Sequence, residues 1–135
     1  MIKYAVMFES LDVLDPSVRE RLEDTYNHLS QNKPFPKGYC SMASEFTADE
    51  RFLFLSKGFF VTDRIITSIL GTRRRQPHYW TEDPEKRIID MTAPQFNDGL
   101  IEKLPSGILV IPPTSFLYRR YIKLNENGRV ERILI

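Results

Sequence analysis

The stretch His78-Tyr79-Trp80-Thr81-Glu82-Asp83-Pro84-Glu85-Lys86-Arg87-Ile88-Ile89-Asp90-Met91 reads as two short strands around a turn. Pro fixes φ and Asp hydrogen-bonds its own backbone, so Asp83-Pro84-Glu85-Lys86 is turn chemistry, while the flanks are aromatic or β-branched. An antiparallel hairpin of His78 to Glu82 and Arg87 to Met91 is therefore expected. Strand side chains alternate between faces, which puts His78 and Trp80 on the same one. A second hairpin is expected from Tyr118 to Leu124 and Arg129 to Ile135, with Asn127-Gly128 at the tip of Asn125-Glu126-Asn127-Gly128. Ile108 to Ile111 is a further candidate strand, stopped by Pro112-Pro113.

Upstream the period changes. Asp15-Pro16 reads as a helix cap and first helical residue, and Val18, Leu22, Tyr26 and Leu29 recur every three or four positions, predicting a helix over roughly 15–31. Two prolines in Asn32-Lys33-Pro34-Phe35-Pro36-Lys37-Gly38 forbid its continuation. A second amphipathic helix is expected from Cys40 to Lys57, with Ala43, Phe46, Leu53 and Phe54 on its apolar face and Gly58 as its cap. Phe52, Phe54, Phe59 and Phe60 read as core, and Phe59 to Thr62 as a short strand. Asp63 to Leu70 fits strand or helix equally. With helices first and strands mainly after, the fold class is α+β, a mostly antiparallel sheet packed on the Cys40 helix.

At 135 residues the chain fits one domain, large enough for a single core without disulfides or a structural metal. A formal net charge of +1 carries no nucleic-acid signature. One cysteine makes no internal disulfide, which suits a reducing compartment. Glu9 and Asp12 interrupt the apolar start before a signal-peptide core develops, and no run of about 18 apolar residues offers a membrane span. A cytoplasmic location is the expectation, with the oligomeric state left open.

Cys40 follows a Gly-containing loop and opens a helix, where unpaired N–H groups and the macrodipole favour a thiolate. His78 and Asp90 follow in the chain on the two strands of one hairpin, at hydrogen-bonding reach if the register sets them on one face. In that arrangement Cys40 is the nucleophile, His78 the general base and then acid, and Asp90 the group that fixes the imidazole tautomer. Trp80 would shield the imidazole from water. An oxyanion hole would use the Cys40 backbone N–H with a side-chain amide from Gln31, Asn32 or Gln95.

Each residue also has a plainer reading. Alone, Cys40 is a small buried hydrophobe, His78 a hydrogen-bonded strand residue and Asp90 a turn former before Thr92. His28, on the first helix, reads as a solvated or boundary residue. No paired metal-ligand spacing is present, so no metal is assigned. Arg73-Arg74-Arg75 reads as a solvated loop, with reception of an acidic or phosphorylated substrate as the alternative.

The ordered set, with Cys at a helix start, His followed by an aromatic pair ending in Trp, and Asp within Ile88-Ile89-Asp90-Met91-Thr92, resembles the transglutaminase-like branch of the papain-like cysteine hydrolases. The resemblance covers about Gly38 to Phe96. It implies a helix packed against an antiparallel sheet and acyl transfer from an amide or ester through a thioester, ending in hydrolysis, deamidation or transamidation. A protein or peptide amide is the expected substrate, and no cofactor, nucleic acid or membrane partner is expected. The chain has little room for the substrate-binding subdomain of larger members. The alternative is an inactive domain of this type that binds a protein partner.

Overall fold

In the computed structural model, which describes residues 8–49, 51–68 and 71–133, six strands form one antiparallel sheet. Helix α1 spans Pro16–Leu29 and α2 spans Cys40–Thr47. The strands are β1 Phe54–Ser68, β2 Gly71–Glu82, β3 Ile88–Asp90, β4 Leu109–Ile111, β5 Tyr121–Leu124 and β6 Val130–Arg132. Their order across the sheet is β4-β3-β2-β1-β5-β6. Residues 1–7, Glu50, Ile69, Leu70, Leu134 and Ile135 lie outside the described residues.

Helix α1 matches its expected span. Asp15 caps it by accepting from the Ser17 N–H, and Val18, Leu22 and Leu29 are buried. The second helix is much shorter than its apolar pattern suggested. Asp49 Oδ1 accepts from the N–H groups of Arg51, Phe52 and Leu53, diverting the backbone from helical bonding. Arg21 holds the other carboxylate oxygen at 2.6 Å, tying this turn to α1. From Phe54 the chain becomes strand, and Gly58 lies inside β1 rather than capping a helix. Phe46 and Phe54, expected in the core, are 55% and 41% exposed, and only Phe60 of the four expected core phenylalanines is fully buried.

Asp63 to Ser68 resolves as strand, as a continuation of β1. Arg73-Arg74-Arg75 is not a loop but part of β2. The His78 hairpin forms as expected, with Thr81 paired to Ile89 and Glu82 to Ile88. The last hairpin forms also, shortened at both ends. Its turn is closed by Asn125 Oδ1, which accepts from Asn127 and Arg129, with Gly128 at φ +76°. Tyr118 falls in the 3-10 turn Phe116–Arg120 before β5.

The sheet has two differently covered faces. On one, Ile89 and Val110 pack with Leu14, Val18, Leu22, Leu29 and Ala43 of the helical layer. On the other, Phe60, Trp80, Ile88, Ile111 and Tyr121 pack with Phe96 and Leu117 of two 3-10 turns, Ala93–Gly99 and Phe116–Arg120. Among the described residues no helix is long and apolar enough to cross a membrane.

Candidate active site

β3 ends at Asp90 while β2 runs on, so beyond Trp80 the outer edge of β2 has no strand beside it among the described residues. The N-terminus of α2 lies beside that edge. Cys40 is its first residue, half-buried, and no side chain caps this end. Continuing the register Thr81–Ile89 places Asp90 opposite Trp80, and His78, one pleat further along β2, then meets Asp90 on the diagonal. His78 Nε2 lies 2.6 Å from Asp90 Oδ2, with both side chains buried.

Asp90 is held from three directions. Tyr121 Oη donates to Oδ2 at 2.7 Å, while Thr92 donates to Oδ1 from its backbone N–H at 2.8 Å and from its hydroxyl at 3.1 Å. Burial raises the Asp90 carboxyl, but the charge and hydrogen bond of His78 and the donors Tyr121 and Thr92 outweigh it and hold the group below its ordinary value. Burial, and then the Asp90 charge and hydrogen bond, push the Tyr121 hydroxyl well up.

The imidazole is boxed by rings. Trp80 stacks on it at 5.8 Å, Phe96 stands edge-on at 4.9 Å and Phe60 at 6.2 Å. Burial alone would neutralise such an imidazole. The Asp90 charge and hydrogen bond and the Cys40 sulfur reverse this and raise His78 to about 9. With Nε2 committed to Asp90, Nδ1 is the free nitrogen; it is buried and has no aligned hydrogen-bond partner.

The neighbour on that side is Cys40. Burial pushes its thiol up, but coupling to the His78 ring and the Tyr79 backbone N–H pull it below the ordinary thiol value. His78 and Cys40 thus shift each other's proton affinity without an aligned hydrogen bond between them. The imidazole is bonded directly to the carboxylate and is linked through charge to the half-buried Cys40 thiol.

The other expected residues divide. Trp80 is buried against His78 and donates its indole N–H to Glu82 Oε2 at 2.8 Å. Gln95 follows Asp90 in the Ala93–Gly99 turn, with its buried Nε2 lacking a partner. Asn32 is spent elsewhere: its amide donates to His28 and Leu29 carbonyls at the end of α1. Gln31 is exposed in the same turn, and no described contact brings it to Cys40. Among the described residues no group of three His, Cys, Asp or Glu side chains is arranged to hold a metal ion. Tyr121, Thr92 and the Tyr79 N–H have no counterpart in the sequence reading. Only Thr92 was within its reach, through the short Asp90-x-Thr92 spacing that lets a carboxylate accept from the next turn.

No protein-family model, curated protein or solved structure matches the chain.

Proposed function

We propose that the protein is a cysteine-dependent acyl-transfer enzyme that hydrolyses or deamidates a protein or peptide amide, on a core organised like that of the papain and transglutaminase group. The observation that carries this reading is the buried Asp90–His78 pair, with a 2.6 Å bond at one imidazole nitrogen, no hydrogen-bond partner at the other, and the ring linked through charge to a half-buried thiol at a helix start.

The chemistry follows from the order of the groups. The Cys40 thiolate attacks the amide carbon, forming the C–S bond as the carbonyl pair moves onto oxygen. That oxyanion develops beside the uncapped first turn of α2, where the Cys40 N–H donates. Collapse breaks the C–N bond, and His78 Nδ1 gives its proton to the departing amine or ammonia. The thioester is then attacked by water, whose proton His78 accepts, and the carboxylic acid leaves as the thiolate reforms. Asp90 keeps Nε2 as the donor nitrogen throughout, so Nδ1 alone exchanges the proton.

The test needs no natural substrate. Mixing the protein with p-nitrophenyl acetate and quenching in acid should give an acetyl adduct on Cys40 with a burst of nitrophenol. His78→Ala should slow the burst by about 100-fold or more, the range of a lost general base. An adduct that forms at the same rate in His78→Ala, or no adduct on Cys40, overturns the reading in favour of a binding domain.

A further inference from the structure

The face of β1 and β2 that carries α2 is covered only in part. Thr81 lies under α2, against Ala43, Ser44 and Thr47, but the helix begins at Cys40, beside Tyr79, and leaves the rest of that face bare. There the alternation is regular: Gln76, His78 and Trp80 are buried on one side, while Tyr79 and Arg75 are exposed on the other, with Pro77 partly so. Lys57 pairs directly with Tyr79 and is exposed, and Phe59 pairs with Pro77. The Arg75 guanidinium lies over the Phe59 ring at 4.8 Å. A groove of 420 Å³ runs here between Phe59, Ile65 and Arg73 to Arg75 with no acidic side chain among the described residues lining it, whereas the cavity beside Lys57 and Tyr79 is lined by Lys123 and by Glu126 and Glu131, so the basic end of this face is the Arg75 end.

We infer that this basic face, from Arg75 along β2 to Tyr79, is the docking surface for an acidic, extended segment of the polypeptide substrate whose amide reaches Cys40. This rests on the acyl-transfer reading and names its substrate class. Strand rise of about 3.3 Å per residue puts Arg75 about 13 Å from Tyr79, so an acidic side chain about four residues from the attacked amide meets the guanidinium. Arg75 suits a carboxylate, since its guanidinium already lies over the Phe59 ring and the residue is exposed. Among the described residues the outer edge of β2 has no strand partner past Trp80, which lets an extended chain lie alongside. An acidic peptide is favoured over a nucleic acid because the neighbouring chemistry attacks amides and the chain as a whole carries only +1.

The test is read by nitrogen-15 NMR on Cys40→Ala, which binds without reacting. The probes are an acetylated Glu-Ser peptide with one central Gln, its Lys-Ser counterpart, and an oligo-dT of similar length. The Glu-Ser peptide should shift the amides of Phe59, Arg75 and Tyr79, with the Lys-Ser peptide silent. Arg75→Glu and Lys57→Glu should each weaken binding about tenfold, with the rest of the spectrum unchanged as the check on folding. Equal binding of the Lys-Ser peptide, tighter binding of oligo-dT, shifts elsewhere on the protein, or no binding of any probe overturns the inference. Because Cys40→Ala cannot react, peptide binding here together with a failed acetylation test would remove the enzyme reading and leave the docking surface standing.

Discussion

Asp90 accepts hydrogen bonds from Tyr121, Thr92 and His78, and each partner makes its own prediction. Asp90→Asn keeps the shape but offers an amide that stabilises the wrong imidazole tautomer, so kcat/KM should fall more than tenfold, about 1.4 kcal/mol or more of transition-state stabilisation. Steady-state assay on a variant of parental thermal stability decides it, and full activity would remove Asp90 from the site. Tyr121→Phe leaves the carboxylate with one donor fewer and should cost about 1.5 to 3 kcal/mol in urea unfolding, the range for a hydrogen bond to a charged group. Iodoacetamide alkylation of Cys40 should show its midpoint below the ordinary thiol value and move up in His78→Ala, whereas an unmoved midpoint would uncouple the pair. Cys40, His78 and Asp90 were legible in the sequence because reactive side chains are chemically distinctive and their order survives folding. Tyr121 was not, since a tyrosine on a strand looks like core until β1 and β5 are paired and its hydroxyl meets a carboxylate 31 residues away.

The elements show where a pattern misleads. Hydrophobic spacing from Cys40 to Lys57 fits a helix as well as it fits a short helix, a turn and a strand. What separates them is Asp49, whose side chain captures three backbone N–H groups and turns the chain. The two hairpins were legible because Asp-Pro and Asn-Gly are local turn chemistry, whereas the length of β1 depends on partners distant in sequence. Gly58 is the tightest of these pairings, since a Cβ there would lie 1.8 Å from the Ile122 carbonyl oxygen. A backbone oxygen cannot step aside as a side chain would. Gly58→Ala should therefore cost about 3 kcal/mol or more, the upper part of the overpacking range, by forcing β1 and β5 apart. Urea denaturation checks it, and a loss under about 1 kcal/mol would mean that the sheet slides to accept the methyl group.

At the scale of the molecule, buried Glu82 joins three strands: it accepts from Trp80 on β2, pairs with Arg132 on β6 at 2.5 Å and lies 3.5 Å from Lys123 on β5. Glu82→Ala strands the Arg132 charge and should cost about 2 to 4 kcal/mol, below the full buried-pair range because the Arg132 side chain keeps 21% exposure. The site also shapes the pH profile of stability. His78, raised from 6.5 to about 9, contributes stability that is whole below 6.5 and lost as pH rises through about 9. Cys40, lowered from 9.0, contributes stability present above that value and lost as pH falls through its folded pKa, so between these limits the two slopes oppose each other. Parental stability should thus fall less steeply between about pH 6.5 and 9 than that of Cys40→Ala, which is left with the histidine alone and should lose stability as pH rises. A Cys40→Ala profile parallel to the parent's would mean that the thiolate–imidazolium pair does not form. Trp80, the single tryptophan of the chain, lies stacked on that imidazole ring. An imidazolium takes an electron from an excited indole far more readily than a neutral imidazole does, so the light emitted by Trp80 should brighten as His78 loses its proton, an optical gauge of the charge on that ring.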